Sequence, residues 1–130
     1  MRLAKPSKRL IIYLLDSLMI LIISSCFIPI FYGFIHYYSI LISLCAFPII
    51  YFIYSYMSMR ISKGYTLFSY LFRVKYVKER GEPINKSQVF LISFHQMIII
   101  FAVIDILYLV LFRVERGLIE KISNTFCLSL

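Results

Sequence analysis

Charge is scarce in this chain, and its gaps carry the message. Asp, Glu, Lys and Arg make up 15% of the 130 residues and apolar residues 62%, against about 25% and about 45–50% in soluble domains. Residues 17 to 59 hold no formal charge; only His36, the thiols of Cys26 and Cys45, and tyrosines could ionise there. A chain this short cannot bury that much apolar surface in a core of its own, so the composition excludes an ordinary soluble domain and requires lipid as a covering solvent. Catalytic patterns are missing too. There is no CxxC, no HExxH, no Gly-rich phosphate loop and no paired carboxylate site. His36 and Cys45 lack the spacing and flanks of a Cys–His nucleophile, so no enzyme, cofactor or metal site is expected. The three cysteines read as small packing residues.

What is present is apolar length. Residues 17–59 as one helix would run about 64 Å, roughly twice the hydrocarbon thickness of a bilayer. The stretch must therefore fold back, with Pro29, Gly33 and His36 marking the turn. Spans are expected at about 10–30 and 39–59, with a third at 88–112 interrupted by His95, Gln96 and Asp105. A cleaved leader is the rival reading of the N-terminus, because Ile23-Ser24-Ser25-Cys26 loosely matches a lipoprotein box. Asp16 within the apolar run, and the apolar residues after Cys26, count against it.

Lys and Arg set the expected orientation. Four lie in the N-terminal tail and seven in residues 60–86, with none in the connection 31–38. Positive-inside bias then puts the N-terminus and the basic segment in the cytoplasm of a multi-pass plasma-membrane protein. The net charge of +8 reads as this topology signal and as a match to anionic lipid headgroups along 60–86. Nucleic acid is not an expected partner, since no recognition motif surrounds the basic residues. Within that segment Leu67, Phe68, Leu71 and Phe72 recur on one face of a short helix, read as amphipathic and interfacial. Weak alternation follows at Val74 and Tyr76, then a turn at Arg80-Gly81-Glu82-Pro83. The polar tail, 113–130, offers a helix end at Ser123-Asn124, a β-prone Thr125–Leu128, and Cys127 as a reporter of its side of the membrane.

An acid inside an apolar span costs a few kcal/mol even on lenient insertion scales, which singles out Asp16 and Asp105. Asp16 lies about 9 Å along the helix from Leu10, at a depth comparable to His95 if the third span runs outward. An Asp16–His95 pair could carry a proton or cation; alternatively Asp16 pairs with Arg9 or caps a neighbouring helix, and both residues only fix packing. If the third run crosses once, Asp105 lies far from Asp16. If it doubles back, Asp105 and Glu120 approach the cytoplasmic side, where Arg9 could meet an acid. Charge bias favours the return, whereas Phe90–Phe112 has no Gly or Pro to turn on. Three runs are expected, with the side of the tail open.

Three stretches, in this order, resemble the RDD family of small bacterial membrane proteins. The first is Lys8-Arg9-Leu10-Ile11-Ile12-Tyr13-Leu14-Leu15-Asp16; the second combines Gly64-Tyr65-Thr66-Leu67, Phe72–Val77 and Gly81-Glu82-Pro83-Ile84. The third, Arg116 to Thr125, is similar to the family's closing arginine, His-Asp pair and Ala-Gly-Thr, with Ile119-Glu120 in place of the pair. The lysine that usually follows the Gly-x-Thr turn is replaced by Leu67-Phe68-Ser69. The resemblance implies an all-α membrane protein of three or four transmembrane or re-entrant helices plus the interfacial helix, forming one domain. It marks Arg9, Asp16, Arg116 and Glu120 as motif residues, joined by His95 and Asp105 as intramembrane polar groups. It also implies a role in transport of ions or small solutes, which a chain this short would need a homo-oligomer to perform. The alternative is a non-transport accessory: a partner of another membrane protein, an assembly factor, or an immunity protein against a toxin or bacteriocin.

Overall fold

The computed structural model describes the backbone of residues 2–31, 36–114 and 116–130, and their side chains outside 27–44 and 99. Two 26-residue helices dominate, α1 (Pro6–Phe31) and α2 (His36–Ile61). Pro6 opens α1, where its fixed φ suits a first helical turn and its missing N–H costs nothing. Ser24 and Ser25 then donate back to the Ile20 and Leu21 carbonyls at 2.7 and 2.8 Å, satisfying their hydroxyls within the helix. Pro29 lies inside α1 and His36 begins α2, so neither marks the turn; Gly33 lies outside the described residues.

Past α2 the chain shortens its elements: α3 (Leu67–Leu71), β2 (Val74–Lys78), a 3-10 turn at Glu79–Gly81, α4 (Lys86–Met97), α5 (Ile99–Leu111), α6 (Leu118–Ser123) and β3 (Thr125–Ser129). With β1 (Arg2–Leu3), the strands form an antiparallel sheet in the order β1-β3-β2. Arg2 faces Ser129 and Leu3 faces Leu128, while Val74 to Lys78 pair with Ser129 to Thr125. The weak alternation after Phe72 and the β-prone tail thus become two strands of one sheet, and the all-α expectation is amended accordingly. The sheet also places the N-terminus, the basic segment and the tail at one end of the molecule.

Two expectations fail on physical grounds. The run 88–112 is not one helix: Lys86–Met97 and Ile100–Leu111 are bent by 98° across Ile98, whose φ and ψ of −94° and 103° are extended. No Gly or Pro is needed, because tertiary bonds hold the break. Tyr13 of α1 donates to the Gln96 carbonyl at 3.3 Å, Ser55 of α2 donates to Gln96 Oε1 at 3.1 Å, and Gln96 Nε2 reaches the Tyr76 hydroxyl at 3.3 Å. Nor do Leu67, Phe68, Leu71 and Phe72, along α3 and its C-cap, share a lipid face. Phe68 and Phe72 pack inward on Ala4, Ile12, Val74 and Cys127, whereas Leu67, Tyr70 and Leu71 point out. Thr66 and Ser69 close a capping box on this helix.

Among the described residues three clusters make the core. Tyr13, Ile20, Phe47, Tyr51 and Ala102 join α1, α2 and α5; Met59, Ile84, Val89, Ile92 and Ile119 join α2, α4 and α6; Ala4, Ile12, Val74 and Cys127 lie under the sheet. Gly64 has φ +117°, and a Cβ there would collide with the Tyr76 carbonyl, so this turn onto β2 requires glycine. Outside the core, Leu14, Leu18, Leu21, Ile49, Ile53, Ile104 and Leu107 are all exposed. Among the described residues, one helix (Pro6–Cys26) is long and apolar enough to cross a membrane, and the bent pair α4–α5 passes the same test when taken together.

Candidate functional site

The polar residues singled out in the sequence converge at the sheet end of the molecule. Arg9, one turn into α1, donates through Nε to the Ala4 carbonyl at 3.0 Å and through Nη1 to Glu120 Oε1 in an ion pair. Both side chains are buried, at 8% and 1% exposure. The other oxygen of Glu120 accepts from the Cys127 N–H at 3.2 Å. Burial pushes the Glu120 carboxyl up, the Arg9 guanidinium pulling against it. Doubling back of the third run makes this contact: an acid in the tail reaches the arginine at the head of the first helix.

Asp16 lies two helical turns further on and is also buried. Its Oδ1 accepts from the Tyr54 hydroxyl at 2.7 Å and its Oδ2 from Thr66 Oγ1 at 2.6 Å. Tyr54 in turn accepts the Leu67 N–H at 3.0 Å. Asp16 therefore fastens α1 to α2 and to the cap of α3, the capping alternative raised for it. The other alternative, a pair with His95, is not formed. His95 is half-buried, stacks on Phe101 with ring centroids 5.9 Å apart, and shares a cavity lining with Asp105 instead.

Asp105 caps α6. Its Oδ1 accepts from the Leu118 N–H and from the Ile119 N–H at 3.3 Å. Gly117 makes room for this: a Cβ there would come within 2.5–2.9 Å of the carboxylate. Arg116 closes the other end, its Nη2 donating to the Glu120 and Thr125 carbonyls at 3.0 and 3.1 Å while its guanidinium lies 4.1 Å from the Phe126 ring centroid. The Leu118 and Ile119 N–H groups are among the first-turn donors that a helix leaves without internal partners, and Arg116 ties the end of α6 to the start of β3.

Two small cavities flank this network. One, about 30 Å³, is lined by residues including Arg9, Tyr13, Asp16, Thr66, Tyr76 and Gln96. The other, about 40 Å³, shares Arg9, Tyr13, Tyr76 and Gln96 and adds His95 and Asp105. Each is of a size for a few waters, not for an organic solute. Burial pushes the Tyr76 hydroxyl well above its ordinary range and the Cys127 thiol up to about 12, so both are neutral. Cys127 is therefore no reporter of the tail's side, because it is sealed under the sheet. Among the described residues no group of three or more His, Cys, Asp or Glu side chains could hold a metal ion.

Sequence reasoning missed Tyr54, Tyr76, Tyr13 and the role of Thr66. Thr66 stands in the Gly-Tyr-Thr stretch, which was a usable signal; three tyrosines among eleven were not distinguishable. No curated protein and no solved structure matches the chain. The family model that does match is that of the RDD family, over residues 3–124, which takes in Arg9, Asp16, the basic segment, Arg116 and Glu120. The chain belongs to the RDD family.

Proposed function

We propose that this RDD-family chain is a multi-pass plasma-membrane protein with its N-terminus, basic segment and sheet facing the cytoplasm, acting as a non-transport accessory. In this reading α1 and α2 cross the bilayer. The helices α4 and α5, 12 and 13 residues long, would extend about 18 and 20 Å at 1.5 Å per residue, too short to span singly, and form a re-entrant pair. The exposed apolar faces meet lipid or the helices of a membrane-protein partner. An assembly factor and an immunity protein against a toxin or bacteriocin are the two forms such an accessory takes; no enzymatic activity is part of the reading.

One observation carries it. Asp16 and Glu120 accept donors from the chain on both carboxylate oxygens and Asp105 accepts two N–H groups on Oδ1, so these acids act as fasteners between elements. A second reading, transport of protons or small cations by a homo-oligomer, draws on the two cavities meeting at Arg9 with Asp16 on one side and His95 and Asp105 on the other. Proteoliposomes separate the two. The accessory reading expects no sodium or proton flux above that of empty vesicles, and an Asp16→Asn variant that is less abundant in membranes. A flux that Asp16→Asn abolishes at equal protein content would establish the transport reading instead.

A further inference from the structure

Away from the buried acids, a more open pocket of about 350 Å³ lies between the last turns of α2 and α3, walled by residues including Tyr54, Ser58, Ile61, Tyr65, Leu67 and Tyr70. The Tyr65 and Tyr70 rings meet edge to face with centroids 5.4 Å apart. Lys75 sits with its Nζ 5.2 Å from the Tyr65 ring centroid. Arg60 lies in the last turn of α2, and Lys63 occupies the turn between two lining residues, Ser62 and Tyr65. No Asp or Glu occurs between Asp16 and Glu79. Asp16 lies buried behind the wall, where it accepts the Tyr54 and Thr66 hydroxyls and does not line the pocket. These charged residues, Arg60, Lys63 and Lys75, are all cationic, a match for an anion.

The rim says which anion. Ile61 is 79% exposed and Tyr70 66%, and Leu67 and Leu71 are exposed beside them. A free phosphate gains nothing from such a surface, whereas the glycerol ester and first methylenes of a lipid cover it. We propose that this pocket is a binding site for one anionic phospholipid. Its phosphodiester is held at the margin by Lys75 and Lys63 and by the Tyr65 and Tyr70 hydroxyls, and its upper acyl region lies on Ile61, Leu67 and Tyr70. The proposal rests on the orientation given above, which puts the end of α2 at the cytoplasmic boundary. It narrows a general attraction of 60–86 for anionic headgroups to one stoichiometric site.

The test uses the full chain in nanodiscs of phosphatidylcholine with and without phosphatidylglycerol, followed by native mass spectrometry of lipid retained after detergent extraction. One phosphatidylglycerol is retained saturably, and phosphatidylcholine is not. Lys63→Gln, on an exposed turn, and Lys75→Gln each weaken retention about fivefold, the effect of ~1 kcal/mol per lysine near an anionic surface. Lys75→Arg keeps the lipid, and Lys86→Gln, at the exposed start of α4, leaves retention unchanged. Equal losses for Lys86→Gln and Lys63→Gln would reduce the site to diffuse attraction. Displacement of the lipid by millimolar inorganic phosphate would make it a free-anion site, and equal retention of phosphatidylcholine would make it an acyl groove. Each of these overturns the proposal. Alkaline washing of the source membranes tests the orientation separately: a wild-type chain that washes off refutes the membrane reading, whereas one that stays but retains no lipid refutes only the site.

Discussion

Removing one partner of the Arg9–Glu120 pair is the most direct perturbation of this fold. Both side chains are almost wholly buried and each has a second tie, Arg9 to the Ala4 carbonyl and Glu120 to the Cys127 N–H. Breaking a buried pair from one side leaves an uncompensated charge and costs about 3–5 kcal/mol. Arg9→Gln and Glu120→Gln should each lose about that much, a melting shift on the order of 10 °C for a chain of this size. Arg9→Gln with Glu120→Gln leaves no charge behind, so the double variant should cost about as much as either single one and not the sum. The coupling in this cycle is then several kcal/mol. Thermal unfolding in mild detergent, read by recovery of the monodisperse protein, gives the ordering. Acidity supplies a second check. In Arg9→Gln the lone Glu120 is buried without its cation, so its folded pKa rises above the unfolded value of about 4.3. A group raised in this way contributes stability that is present below the unfolded pKa and lost as pH rises through the folded one. The deficit of Arg9→Gln against wild type should therefore shrink on going from neutral pH towards pH 5. Additive single costs, or a deficit that does not change with pH, would refute the view that this pair clamps the tail to the first helix.

Other expectations follow from the same geometry. Gly117→Ala puts a Cβ against the Asp105 carboxylate and pushes it off the α6 N–H groups; unfolding should show a loss of about 1–3 kcal/mol, and the same substitution in an Asp105→Ala background should cost much less. Tyr54→Phe and Thr66→Val each remove one donor from buried Asp16 and should each destabilise by about 1–3 kcal/mol; no change from either would mean that Asp16 is not held as described. For Cys127 the folded pKa of about 12 exceeds the ordinary thiol value of 9.0, so its stabilising contribution is complete below pH 9 and declines from there to pH 12. Denaturation at stepped alkaline pH should show that slope, flattened in Cys127→Ala. In a chain with Cys26 and Cys45 replaced by serine, maleimide should react with Cys127 only as fast as the protein unfolds.

The sequence by itself determined what depends on local composition and spacing. Uncharged length dictated the two long helices, Gly64 and Arg80-Gly81-Glu82-Pro83 dictated turns, and Ser123-Asn124 dictated a helix end, with Asn124 in the left-handed region at φ 52°. Order and spacing of the arginine and acid motifs dictated the family. Tertiary structure alone decided where the acids go. The run from Lys86 to Leu111 has no residue that breaks a helix, yet it breaks at Ile98. Several distant groups then gain partners at once: Gln96 is tied to Tyr13, Ser55 and Tyr76, Asp105 caps α6, and Glu120 meets Arg9. Each is a contact between residues 20 or more apart, or across a helix end, which no local pattern encodes. Asp16 shows the same division. Its spacing from Arg9 was legible, but its partners Tyr54 and Thr66, 38 and 50 residues away, are chosen by helix packing. A buried carboxylate takes whatever donors the fold brings within reach, because leaving it unpaired costs more than any local preference can offset.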